Sequence, residues 1–223
     1  MKFLDFHSHF RNFSAKETAI VSIFPNECSW ENRNDVYFSC GIHPNFIPED
    51  CNVLSQYIHI LKKRMETKKF LAIGECGLDR TSKSSIERQI KILNLQIEIA
   101  CEFRKPIIIH CVRAYGEMLS LKKQYNKLRL PFVIHGFRGS IKLAEQLTEA
   151  GFILSFGYKI LKDQNKMNVI SELKDKIFFL ESDEEKYGVI PLYHEIARYL
   201  KWDVEELKEK INIWAKSLFN IDF

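Results

Sequence analysis

The sequence predicts an α/β fold: a distorted or abbreviated (β/α)8 barrel of the TIM type, forming a single domain over residues 1–223. Three observations carry this. Five short apolar runs each lead into residues able to bind a metal. They are Phe3-Leu4-Asp5-Phe6 before His7 and His9, Phe70-Leu71-Ala72-Ile73 before Glu75, Ile107-Ile108-Ile109 before His110, Phe132-Val133-Ile134 before His135, and Phe178-Phe179-Leu180 before Glu181 and Asp183. Segments of helical period lie between the later runs, as strand–helix alternation requires. At 223 residues, 46% of them hydrophobic, the chain can bury a proper core, yet it is shorter than the roughly 250 residues of a regular eight-unit barrel.

Taken in order, the first stretch is the irregular one. From Phe10 to Cys40 there is room for one strand, Ala19 to Phe24, and little helix, because Pro25-Asn26-Glu27 and Asn32-Arg33-Asn34-Asp35 read as loops. The early units are therefore expected to lack a full helix, and Ile42-His43 reads as another strand end. Ile86, Ile90, Leu93, Ile97 and Cys101 recur at three and four, the spacing of one helix face. Lys105-Pro106 ends that helix and hands over to the strand Ile107 to Ile109. A second helix follows Ile141, Ala144, Leu147 and Thr148 and closes at Gly151 before the strand Phe152 to Ser155. Near the end, Asp203 with Glu206 resembles a capping box, and Val204, Leu207, Ile211, Trp214 and Leu218 form the apolar stripe. No repeat or Pro/Gly/Ser linker divides the chain.

Composition narrows the class. Lysine and arginine number 33 against 29 acidic residues, a net charge of +4, with a pI near 8.6. That is too mild for a dedicated nucleic-acid binder, so charge alone selects no partner. Six cysteines, Cys28, Cys40, Cys51, Cys76, Cys101 and Cys111, are scattered without a CxxC pair, and several lie in apolar segments. This is the usage expected of reduced thiols in a cytoplasmic protein. The amino terminus reaches a charge too early for a signal peptide, and no run approaches membrane-spanning length, so no membrane partner is expected.

The chemistry is expected where the strands end, since a parallel barrel brings every strand's carboxyl end to one face. Alternate side chains of an extended strand share a face, so Asp5, His7 and His9 point together, and two imidazoles so placed can chelate one ion. Asp5 is expected to orient a histidine, because metal-bound imidazoles commonly present their other nitrogen to a carboxylate. Glu75 lies between Gly74 and the Cys76-Gly77 pair, where glycine permits a tight turn and close approach to an ion, and its two oxygens can bridge two metals. His110 and His135 end runs apolar enough to be parallel strands covered on both faces. Asp183 follows the last strand and is the natural carboxylate to touch a metal and take a proton from its water, while Glu181 braces a neighbour. Imidazole and carboxylate without thiolate suit divalent ions such as zinc or manganese. Two such ions about 3.5 to 4 Å apart would stabilise both oxygens of a displacement at phosphorus.

The ordered motifs resemble those of the TatD family of metal-dependent deoxyribonucleases, within the amidohydrolase-like barrels. They are Asp5-Phe6-His7-Ser8-His9, Gly41-Ile42-His43-Pro44, Gly74-Glu75-Cys76-Gly77-Leu78-Asp79, Ile109-His110, His135-Gly136-Phe137-Arg138-Gly139 and Glu181-Ser182-Asp183. The resemblance implies two divalent ions, zinc, manganese, magnesium or similar. His7, His9, Glu75 and Asp183 would hold one, and Glu75, His110 and His135 the other. It also implies Asp183 as general base, with Glu75 the other catalytic carboxylate, His43 near the substrate phosphate, and exonuclease or repair-type action on DNA, single-stranded or at 3′ ends. Two departures bear on substrate. The family's arginine two positions beyond the fourth-ligand histidine is Val112 here, with Arg113 next. Its usual Cys-Phe-Ser-Gly is Gly136-Phe137-Arg138-Gly139.

Around the site, Arg138, Arg113, Arg80, Lys142 and Lys159 follow strands and are candidates to meet phosphates, Arg138 foremost. Phe10, Phe46, Phe137 and Tyr158 are candidates to stack on bases, although core packing is the commoner fate of aromatics. Two alternatives keep part of this picture: a metal-dependent amide, ester or lactone hydrolase, and a metal-binding barrel subunit of a larger nucleic-acid-processing assembly. A monomer is compatible with the sequence.

Overall fold

The computed structural model describes residues 1–9, 13–27, 33–128 and 130–221. Phe10 and Cys28 lie outside these residues. Eight strands follow chain order in one sheet: β1 (Phe3–Ser8), β2 (Glu17–Ile23), β3 (Val36–Cys40), β4 (Phe70–Asp79), β5 (Ile107–Val112), β6 (Phe132–Ile134), β7 (Phe152–Phe156) and β8 (Phe178–Leu180). The pairs β1/β2, β3/β4, β4/β5 and β7/β8 are parallel. A parallel bridge from Ser8 to Asp183 ties β1 to the chain leaving β8, which is how a (β/α)8 sheet returns on itself.

The helices are α1 (Cys51–Met65), α2 (Ile86–Phe103), α3 (Tyr115–Gln124), α4 (Ile141–Glu149), α5 (Gln164–Glu172), α6 (Ile190–Leu200) and α7 (Val204–Phe219). Among the described residues none lies between β1 and β2 or between β2 and β3, as the abbreviated pattern anticipated. None is long and apolar enough to cross a membrane. Local chemistry sets their ends. Ser85 and Ser140 cap α2 and α4 by accepting the backbone N–H three residues on, and Asp203 caps α7 by accepting from Glu205. The chain leaves α2 through Arg104 in the left-handed region before Lys105-Pro106, and leaves α4 through Gly151 at φ 85°.

Contacts group the residues into two compact units, 1–21 with 33–36 and 134–223, and 22–32 with 37–133. In the first unit, Phe6 stacks on Phe179 at 4.2 Å between ring centroids, and Phe178 lies 5.3 Å from Trp214 of α7. The Tyr193 hydroxyl donates to the Leu4 carbonyl at 2.9 Å, so this fully buried ring brings its own polar group a partner. In the second unit, β4 and β5 form a parallel pair buried on both faces, against which α2 packs Leu93 and Ile97.

Three expectations need correction. The Phe10 to Cys40 stretch holds a second strand, β3, besides the anticipated one. Five residues, Val36-Tyr37-Phe38-Ser39-Cys40, after a run of loop formers are too few to show a period. That strand ends at Cys40, so His43 lies three residues beyond it, at the N-cap of a 3-10 turn Pro44–Phe46. Pro44 cannot donate to a ladder and holds the preceding residue extended, at φ −65° and ψ 143°. Glu75 is not in a turn but within the ten-residue β4. Two residues on, Gly77, at φ 152°, serves close strand packing: a Cβ there would fall 1.9 Å from the His110 carbonyl oxygen.

Candidate metal centre

In the first unit, the side chains gather around the end of β1. The buried His7 ring lies 4.3 Å from that of His135 and 5.0 Å from that of His9. His7, His135 and Asp183 offer ligand atoms that all lie within 4.8 Å of one another. His9 Nε2 is 3.8 Å from Asp183 Oδ1. The backbone explains the meeting. Asp183 donates its N–H to the His7 carbonyl at 2.9 Å, and His9 donates to the Asp183 carbonyl at 3.0 Å, so the residue after β8 is zipped onto the residues that end β1. Asp183 adopts φ 55°, a left-handed conformation that aspartate tolerates better than most residues.

Asp5 has a different task from the one its spacing suggested. Its two oxygens accept from the Ser182 backbone N–H at 2.8 Å and the Ser182 hydroxyl at 2.6 Å. Burial pushes the Asp5 carboxyl up to about 8, against the lowering effect of those bonds. Asp5 thus anchors the residue between Glu181 and Asp183, rather than orienting an imidazole. That work falls to Glu181: its Oε1 lies 3.3 Å from His135 Nδ1 and accepts from the Gly136 N–H at 2.6 Å. A carboxylate behind one ring nitrogen is the arrangement that presents the other to a cation. Lys159 Nζ stands 3.5 Å from Asp183 Oδ2. Two imidazoles and a carboxylate, with no thiolate, are donors that fit zinc, manganese or a similar divalent ion.

In the second unit, Glu75 is the hub. Its Oε1 is 2.8 Å from His110 Nδ1 and 3.3 Å from His43 Nε2. His110 Nε2 lies 3.2 Å from Asp79 Oδ2, so this ring stands between two carboxylates. The Thr81 N–H and hydroxyl both donate to Asp79 Oδ1, at 2.7 and 2.6 Å. Burial opposes ionisation of Asp79, but the Thr81 bonds and then His110 outweigh it and hold the carboxyl below its usual range. His43, Glu75 and His110 also offer ligand atoms within 4.8 Å of one another. The hydrogen bonding of His43 assigns it another part. Its Nδ1 accepts from the Asn45 backbone N–H at 3.1 Å, which leaves the ring proton on Nε2, facing Glu75. Ligating a metal through Nε2 would require a proton on Nδ1, opposite the Asn45 N–H. His43 is built as a hydrogen-bond donor toward an anion.

The structure therefore brings His7, His9, His135 and Asp183 together in one unit and His43, Glu75 and His110 together in the other. Arg113 and Arg138 are exposed on the turns after β5 and β6. Arg80 is paired with Glu117, and Lys159 meets Asp183. Phe137 is 1% exposed and packs in the core, Tyr158 donates its hydroxyl to the Gly188 carbonyl, and Phe46 is 64% exposed. Sequence reasoning passed over Asp79, although its distance of four residues from Glu75 along a strand puts both on one face. It also passed over Gln89 and Gln96 of α2. Gln96 accepts from the Ile42 N–H at 2.7 Å and donates to the Ile42 carbonyl at 3.2 Å. Gln89 does the same for Asp79, at 2.7 and 2.9 Å. A polar residue on the apolar stripe of a helix was the available signal.

A family model described as TatD related DNase matches residues 21–220. An uncharacterized metal-dependent hydrolase, YjjV of Escherichia coli K12, is 30% identical over 157 residues, covering 69% of this chain and 60% of YjjV. A protein named 3′-5′ ssDNA/RNA exonuclease TatD, from Erwinia billingiae, is 32% identical over 120 residues, covering 53% and 44%. The crystal structure of YjjV superposes with a TM-score of 0.80 and 21% identity, covering 98% of both chains, which shows a common fold. By sequence, the chain spans 58%, 46% and 60% of the lengths of three curated relatives it matches.

Proposed function

This chain belongs to the TatD-related DNase family, and on that premise we propose that it is a divalent-metal-dependent phosphodiester hydrolase. The bond is one in DNA, cut in exonuclease or repair fashion in single strands or at 3′ ends. The observation that carries the reading is the convergence of His7, His135 and Asp183, from three strand ends far apart in sequence, to within 4.8 Å.

In this reading the ligands of two divalent ions are His7, His9, Glu75, His110, His135 and Asp183. Ions held there would lower the pKa of water and offset negative charge at phosphorus. The chain's own residues do the rest. Asp183 takes the proton from the attacking water, and its main chain is held in place by the backbone bonds to His7 and His9. Lys159 Nζ stands beside the same carboxylate, where it can meet negative charge on the substrate. His43 donates Nε2–H to a phosphate oxygen, replacing its bond to Glu75. Asp79 and Glu181 hold the His110 and His135 rings in orientation. Arg113 and Arg138 contribute positive charge from their exposed turns. Buried Cys40 and Cys111, whose thiols burial pushes up to about 11 and about 12, accord with a reducing cytoplasm.

The test is turnover of a single-stranded oligonucleotide by purified protein with manganese or magnesium. Wild type cleaves it, a chelator abolishes cleavage, and Asp183→Asn lowers kcat by roughly a hundredfold or more while the chain stays folded. Cleavage that is independent of metal and indifferent to Asp183→Asn overturns the proposal. So does turnover confined to a panel of small amides, esters and lactones.

A further inference from the structure

Phe46 is an apolar ring left 64% exposed one residue past Asn45, in the 3-10 turn that His43 itself caps. Its ring centroid lies 5.5 Å from that of His43 and 5.8 Å from that of Phe24, which it meets edge to face. Phe24 in turn meets Tyr57 of α1 edge to face at 5.3 Å. Phe24, itself met by Tyr57, thus holds one side of the ring, while most of its surface faces water. The same bond that sets the His43 tautomer, Asn45 N–H to Nδ1, also sets the turn that carries Phe46. His43 points its Nε2 to Glu75 on the other side, within a ring-to-ring distance of 4.3 Å of His110.

From this geometry we infer that Phe46 is a stacking platform for a nucleobase, the base belonging to the nucleotide whose phosphate His43 meets. The inference rests on the nuclease reading above. Phosphate and base of one nucleotide are separated by a single sugar, and a phosphate donor and an aromatic face three residues apart on one rigid turn match that separation. Every base has a π face, so the platform serves single strands without selecting sequence. In a duplex the base faces are occupied by their neighbours, so the platform favours frayed ends and single strands. A buried phenylalanine would do none of this, and the exposed ring has a hydration cost that stacking removes.

The experiment compares wild type, Phe46→Ala and Phe46→Trp on a single-stranded oligonucleotide and on one of equal length whose terminal nucleotides are abasic. With bases present, Phe46→Ala raises KM about tenfold, the scale of one lost base–aromatic stack, and Phe46→Trp restores it. On the abasic strand wild type loses its advantage over Phe46→Ala. Equal KM for wild type and Phe46→Ala on the normal strand overturns the inference, as does an equal penalty on both strands, which would mark a structural role. If wild type cleaves neither strand, the nuclease reading fails, and the platform is tested by binding alone. A terminal 2-aminopurine is then quenched on wild type and not on Phe46→Ala, and identical quenching overturns it.

Discussion

His43 shows how much a single backbone donor decides. The apolar runs that lead into His7, His110 and His135 make those histidines legible in the sequence, whereas His43 reads as a strand end and lies three residues beyond β3. Its tautomer is not legible either, since that depends on an N–H brought within 3.1 Å by a 3-10 turn. Asp5 was misread for a similar reason: its partner, Ser182, is 177 residues away, and strand periodicity carries no information about such a contact. Asp35 offers a test of single-residue electrostatics apart from the site. Hydrogen bonds from Arg33, and then from Lys2 at 3.0 Å, hold its carboxyl well below the usual carboxylate range. A depressed pKa means stability that is present above the ordinary value of about 3.9 and is lost as pH falls toward the folded value. Asp35→Asn is therefore expected to lower the thermal midpoint by a few degrees at pH 7. The gap to wild type should close as the pH drops below about 4, and calorimetry across pH 2.5 to 7 measures it.

At the scale of elements, α2 carries more than its stripe of apolar residues announced. The three-and-four spacing of Ile86, Ile90, Leu93 and Ile97 located the helix, and the structure places it over Ile86–Phe103. What that spacing hid is that Gln89 and Gln96, each 1% exposed, face the same strands and take up backbone groups that no ladder satisfies. One amide fixes Ile42, next to His43, and the other fixes Asp79, behind His110. Gln96→Leu keeps the bulk but strands the Ile42 N–H and carbonyl, so it is expected to lower kcat/KM on a single-stranded oligonucleotide by about ten- to a hundredfold. Ile92→Ala, on the same helix and 5% exposed, is the control. It costs comparable stability in urea unfolding and leaves the rate within about twofold, since the truncated methyls touch no hydrogen bond of the site. The short β3 escaped the sequence because five residues scarcely show a period. The long β4 was mistaken for a turn at Glu75 because glycine signals both a bend and a close backbone approach.

For the whole molecule, strand order was the legible part. Apolar runs ending in His, Glu or Asp, with helical segments between the later ones, can be satisfied at once by a parallel sheet in chain order, and the structure has that order. That the described residues hold no helix between β1 and β2 or between β2 and β3 was foreshadowed by arithmetic on chain length. Side-chain partners across such distances come from the closure of the sheet, which no window of sequence contains; the meeting of His7 and Asp183 through the Ser8 bridge is the clearest case. A cation that binds the native side chains and not the unfolded chain must also stabilise the fold, by about 2.7 kcal/mol at a hundred times its dissociation constant. The central claim is that these side chains form a divalent-metal site, and elemental analysis after equilibrium dialysis against zinc or manganese tests it most directly. Two ions retained per wild-type chain, falling when His7 and Asp183 are replaced by alanine, is the predicted result. A wild-type chain that retains no ion above the buffer level would contradict it.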